Sequence, residues 1–153
     1  MASNHALLLG KLIGNLQSLE IGIRVFLHRC SDSSSHQTPT RSHYNLKVGD
    51  EVPEDAFTNY DSLGDLIKKY NSIIQSKDPN LVIDISVVQI RDLVAHGRVS
   101  APEPDETKLE IVKFGKPSNG KVIVADCATM TDQWLQEKID FVRSQLEIVA
   151  KAP

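Results

Sequence analysis

The sequence predicts a mainly α fold, a four-helix bundle with a small β-hairpin before its last helix, as a single domain over residues 1–153. Three observations carry the prediction. Apolar residues recur at helical spacing in four segments, one short stretch near residue 120 is instead rich in β-branched residues around a turn, and the length suits one sizeable core.

The first helix is expected from Ala6 to about Arg29, where Leu8, Leu12, Leu19, Ile23 and Phe26 form a stripe widened by Leu9, Ile13, Leu16 and Leu27. Gly10, Gly14 and Gly22 interrupt it at about 1 kcal/mol each. Close approach of another backbone would account for the Gly10/Gly14 pair, and plain tolerance of glycine is the alternative. From Ser31 to about Asp55 the chain offers little apolar surface and should form a loop. It carries His36, Arg41, His43 and Tyr44, so it is either disordered or a lid over a site.

Helical spacing returns from about Glu54 to Gln75 through Phe57, Leu63, Leu66, Ile67, Tyr70, Ile73 and Ile74. Asp78-Pro79 supplies a cap and a first-turn proline for a third helix, whose buried stripe is Ile83, Val87, Ile90 and Val94. Gly97 stands where a left-handed residue would end that helix, which puts His96 in its final turn. Ala101-Pro102-Glu103-Pro104 breaks the helical pattern. A hairpin follows at about 108–126, its strands Lys108–Phe114 and Lys121–Ala125 and its turn chemistry in Gly115–Gly120. Thr131 caps the last helix, which turns Leu135, Ile139, Val142, Leu146 and Val149 to one side, with Trp134, Phe141 and Ile148 beside them. No repeat period is visible, so solenoids are set aside.

A formal net charge of −3 argues against coating nucleic acid by bulk attraction and leaves room only for a focal contact. Cys30 and Cys127 follow no metal-ligand spacing and are read as reduced thiols. Met1–His5 lacks a basic leader region, and Lys11 interrupts the apolar run after it, so a cytoplasmic location without membrane insertion is expected. The sparse aromatics, Trp134 among them, make no stacking platform for single strands. His5, His28 and His43 have no local partner at a telling spacing. Glu20 and Arg24 suit an exposed i,i+4 pair worth about 0.3–0.5 kcal/mol. Lys108, Lys113, Lys116 and Lys121 fit edge protection of the hairpin better than phosphate contacts.

The stretch richest in chemistry is Arg91-Asp92-Leu93-Val94-Ala95-His96-Gly97, which sets a permanently charged guanidinium and a titratable imidazole at one helix end. Such a pair suits phosphate, with arginine holding charge on its oxygens and histidine moving a proton. An arginine there can equally pair with carboxylates or carbonyls, and a last-turn histidine can simply complement the helix dipole. At about 100° per residue, Arg91 and His96 lie roughly 140° apart on an ideal helix. Asp92 and His96 share a face, so Asp92 is expected to orient the ring. Arg91 should therefore meet His96 only if the helix loosens, or should meet that of a second copy across a two-fold axis.

Arg91, Asp92 and His96, with a four-residue spacer, resemble the signature of the HEPN superfamily (higher eukaryotes and prokaryotes nucleotide-binding). The resemblance covers the helical segments from about Ala6 to Arg98 and the last helix, with the hairpin as an insertion. It implies a HEPN-like bundle acting as a homodimer, and a metal-independent, cofactor-free endoribonuclease with Arg91, Asp92 and His96 as catalytic residues and RNA as substrate. It also implies the toxin or effector of a defence or toxin–antitoxin system, with an antitoxin or other partner protein. The alternative within the family is a catalytically inactive RNA-binding or protein-interaction module. A tyrosine two residues after the histidine, which partners modify in some such toxins, is here Arg98, so that form of control is not expected. No cluster at metal-ligand spacing stands out in the sequence.

Overall fold

The apolar stripe of the first segment produces the longest element of the chain, helix α1 at Ser3–Ser31. In the computed structural model, which describes residues 3–31, 45–101 and 108–153, three more α-helices follow: α2 (Leu63–Ile74), α3 (Val87–His96) and α4 (Asp132–Ala150). A three-stranded antiparallel sheet of order β1-β2-β3 precedes α4, its strands being β1 (Arg98–Ser100), β2 (Glu110–Phe114) and β3 (Val124–Thr129). The fold is mainly α with a small sheet before the last helix, as the sequence suggests. The chain divides into two compact units, Met1–Leu16 with Ser86–Arg143, and Gln17–Ile85 with Ser144–Pro153.

In the second unit, α1 buries Leu19, Ile23, Phe26 and Leu27, and α2 buries Leu63, Leu66, Ile67, Tyr70 and Ile74. Phe26 and Tyr70 meet edge to face at 4.7 Å between ring centroids. Gly22 is the α1 glycine with a packing reason, since a Cβ there would lie 3.2 Å from Val149 Cγ1. Gly10 and Gly14 face open space, so of the two accounts of that pair plain tolerance of glycine holds and close approach does not.

Helix α2 starts at Leu63, well after the expected Glu54, because the polar residues before it bind their own backbone instead. Asp55 Oδ1 accepts from the N–H groups of Phe57 and Thr58, and the Ser62 hydroxyl caps α2 by accepting from Asp65 N–H. The third helix is also shorter than expected. Asp78-Pro79 opens only a 3₁₀ turn at Pro79–Leu81, after which Val82 is extended. Side chains hold that break open. The Asn71 amide donates to the Ile83 carbonyl and accepts from Ile83 N–H, Tyr70 donates its hydroxyl to the Leu81 carbonyl, and the buried Gln145 accepts from Asp84 N–H. These bonds satisfy the backbone of 81–84 without a helix.

In the first unit, Leu93, Ile111 and Met130 form a core to which Leu109, Ala128 and Trp134 add partly buried surface. The hairpin exists but extends to Thr129, and β1 adds an unforeseen third strand with Val99 opposite Ile111. Its turn is Asn119-Gly120, both at positive φ, closed by paired bonds between Ser118 and Lys121. Thr131 caps α4, its hydroxyl accepting from Trp134 N–H as expected. On α4, Leu135, Ile139, Val142 and Val149 are buried, whereas Leu146 is half-buried and Gln145 takes a core place. Gly97 ends α3 at φ −70°, not in the left-handed region. Its lack of a side chain serves packing, because a Cβ would sit 2.7 Å from Ile111 Cδ1 and closer still to Ile111 Cγ1 and the Leu93 carbonyl.

The lid residues His36, Arg41, His43 and Tyr44 lie outside the described residues. By length and composition alone α1 could cross a membrane, a test that the core helix of a soluble protein also passes.

Candidate functional site

Helix α3 stays regular to its last residue, the Gly97 N–H donating to the Leu93 carbonyl at 2.7 Å. Even so, Arg91 Nη1 comes within 3.5 Å of His96 Nε2 in the same chain. Neither a loosened helix nor a second copy is needed, which corrects the expectation drawn from helix angles. The guanidinium rides on three methylenes and reaches round the last turn. Arg91 keeps 41% of its side chain exposed, and His96 is exposed, so the pair faces solvent.

Asp92 does not orient His96 as expected. Among the described residues, its Oδ1 lies 3.3 Å from Arg91 Nη1 and its Oδ2 lies 3.4 Å from Lys113 Nζ. Lys113 is the member that sequence reasoning misplaced. It stands in the central strand of the sheet, not at an edge, and faces α3 on the same side of β2 as the buried Ile111. Alternation along Glu110–Phe114 was the available signal, since a lysine two residues from a buried isoleucine shares its face. The cluster thus sets Arg91 and Lys113 against Asp92, beside an imidazole, with Asp126 directly opposite Lys113 on β3. The forked donors of the guanidinium on an open surface can hold a phosphate.

Arg98 leaves this cluster for the opposite face of the sheet, where its guanidinium lies 5.0 Å from the centre of the Phe114 ring.

Other residues without local partners in the sequence find distant ones. His5 Nε2 lies 2.9 Å from the Met130 carbonyl, to which its N–H donates, and Nδ1 faces Asp132 at 3.4 Å. His28 Nδ1 lies 3.3 Å from Asp55 Oδ2. These histidines fasten helix ends. Arg24 is not an exposed pair member: its side chain is 11% exposed and donates to the carbonyls of Ala56, Asn59 and Asp61, to Asn59 Oδ1 and to Glu20. Burial pushes the Asp55 carboxyl up, but the Thr58 and Phe57 N–H groups, the Thr58 hydroxyl and His28 outweigh it and hold the group below its ordinary value.

Cys30 and Cys127 are both exposed free thiols. Among the described residues, no group of three or more His, Cys, Asp or Glu could hold a metal ion. The chain matches no protein-family model, and comparison with curated proteins and with solved structures finds no match.

Proposed function

We propose that this chain is a metal-independent endoribonuclease of HEPN type, with Arg91 and His96 as its reacting pair. The observation that supports this most is the 3.5 Å approach of Arg91 Nη1 to His96 Nε2 on an exposed helix end, with Asp92 and Lys113 behind the guanidinium. An RNA 2′-oxygen attacks the adjacent phosphorus and its proton passes to His96. The bond from phosphorus to the 5′-oxygen breaks, the departing oxygen takes a proton from the medium, and a 2′,3′-cyclic phosphate remains. Arg91 stabilises the charge that gathers on the phosphoryl oxygens, the kind of term that supplies most of such a rate enhancement. Asp92 is a positioning residue, holding Arg91 and itself held by Lys113.

The rest of the reading rests on the resemblance of Arg91-Asp92…His96 to the superfamily signature: a cytoplasmic homodimer, serving as the toxin or effector of a defence or toxin–antitoxin system beside an antitoxin partner. Because one chain already contains the pair, a second copy would double the site rather than complete it. The second reading is an inactive RNA-binding or protein-interaction module. It is favoured by the ion pairs of Asp92, which would equally tie α3 to the sheet.

The test is cleavage of a mixed RNA pool in EDTA by wild type and His96→Ala, purified side by side and shown folded by circular dichroism. Cleavage by wild type alone, leaving cyclic phosphate ends, is expected. Equal cleavage by both, or none by either, overturns the assignment of His96.

A further inference from the structure

In the first unit a cavity opens among α3, β3 and the first turns of α4. Its volume is about 190 Å³, and it is lined by Gln89, Ile90, Leu93, Asp126, Trp134 and Lys138 with the neighbouring sheet backbone. Sites for drug-sized ligands run from about 300 to 1,000 Å³, so this one takes a single small ring system. The half-buried Trp134 supplies an aromatic wall, and Lys138 Nζ lies 5.7 Å from its ring centre. Ile90 and Leu93 supply an apolar one. Among the described residues, the Gln89 amide and the Asp126 carboxylate make no side-chain hydrogen bond, so both polar groups are available to an occupant.

Placement ties the cavity to the cluster. Gln89 is three residues before Asp92 and seven before His96, on one stripe of α3, about 10 Å along the axis from His96 at 1.5 Å per residue. Asp126 stands directly opposite Lys113, the residue that holds Asp92.

We infer that this cavity is a nucleobase-binding site selective for guanine. Asp126 is acceptor-only when ionised and can take two parallel hydrogen bonds. Of the four RNA bases, guanine alone offers two adjacent donors on one edge, N1–H and the exocyclic N2 amine. The Gln89 amide can donate to a ring or carbonyl acceptor, and Trp134 gives the base a face to pack on. Lys138 faces the flanking backbone charge. The inference deepens the ribonuclease reading, since it names the base that the enzyme would select, but the cavity and its chemistry stand apart from whether the chain cuts.

Trp134 is the sole tryptophan of the chain, so its emission reports occupancy of this cavity directly. Guanosine 5′-monophosphate, titrated in EDTA with excitation at the red edge and correction against free tryptophan amide, is expected to give a saturable change. Adenosine, cytidine and uridine monophosphates should bind about 10-fold or more weakly, the discrimination of one bidentate pair. Asp126→Asn, folded by circular dichroism, should erase most of that preference, and Gln89→Ala, on the exposed side of α3, should weaken guanosine binding several-fold. No saturable change with any nucleotide overturns the inference, as does an unaltered guanosine preference in Asp126→Asn. Monophosphates contain no internucleotide bond, so binding without RNA cleavage would fail the ribonuclease reading alone. Cleavage by wild type without monophosphate binding would fail the base site alone.

Discussion

Arg24→Ala should destabilise the protein far beyond what an i,i+4 ion pair on a helix surface can explain. The guanidinium is 11% exposed and donates to three backbone carbonyls, at Ala56 (3.3 Å), Asn59 (3.1 Å) and Asp61 (2.9 Å), besides Asn59 Oδ1 at 2.9 Å. Hydrogen bonds to a charged partner contribute about 1.5–3 kcal/mol each when water cannot replace them. The segment 56–61 is half-exposed, so water recovers much of the loss, and about 3 kcal/mol in total is expected. For a chain of this length that lowers Tm by about 6–12 °C. Glu20→Ala is the control, because it removes the ion pair and leaves the other donors in place, and it should cost about 0.5 kcal/mol. Urea unfolding followed by far-ultraviolet circular dichroism measures both. If Arg24→Ala costs no more than Glu20→Ala, the loop clamp is wrong and the exposed-pair reading stands.

Gly97→Ala should cost about 1–3 kcal/mol by forcing Ile111 and the Leu93 carbonyl aside, and Gly97→Asn should cost at least as much. An asparagine tolerated better than alanine in thermal melts would instead indicate a left-handed cap. Asp55→Asn keeps an acceptor for the Phe57 and Thr58 N–H groups but removes the charge opposite His28. Because the folded carboxyl lies below its ordinary value of 3.8, its contribution is fully present above that pH and is lost as pH falls through the folded value. Wild type should therefore exceed the variant in stability at pH 6, with the gap closing below about pH 4, and a gap constant from pH 6 to pH 3 refutes the assignment. On the proposed ribonuclease reading, Lys113→Met removes one of the two cations that fix Asp92 and so loosens the support of Arg91, and RNA cleavage should fall about 10-fold, an effect that a mere edge-protecting lysine would not produce.

The helices were legible where burial alone decides them and illegible where single polar side chains do. Leu12, Leu19 and Ile23 on α1, and Leu135 and Ile139 on α4, are buried as their spacing demands. Periodicity failed at 54–62 and 78–86, which pass for helix by composition. There Asp55, Asn71 and Gln145 each bind backbone atoms and so offset the helical bonds that are forgone. Two of those partners lie 12 and 61 residues away in the chain, farther than the three- and four-residue spacings by which a helix is read. Strand β1 escaped notice for a related reason: three exposed residues have no pattern of their own and become a strand only by pairing with β2.

At the site, the helical wheel located the residues and misjudged their reach. Angular position describes Cα atoms, and it serves short side chains such as Asp92 better than a guanidinium that can bend back over a turn. The wheel therefore placed Arg91 and His96 apart and called for a loosened helix or a second chain, whereas the side chain closes the gap within one regular helix. It also paired Asp92 with the nearest titratable group on its own helix. Asp92 instead meets a competitor, the Lys113 ammonium, which the β2 register delivers from 21 residues away. A carboxylate offered an ammonium and a guanidinium makes charge-assisted bonds to both before it turns to an imidazole. If the ribonuclease reading holds, this leaves His96 without a carboxylate partner from its own helix, so its proton-moving role would depend on substrate and Arg91 rather than on a His–Asp dyad. Asp92→Asn should then reduce cleavage through the position of Arg91, raising KM for RNA more than it shifts the pH profile. A shifted profile with unchanged KM would restore the dyad that the sequence suggested.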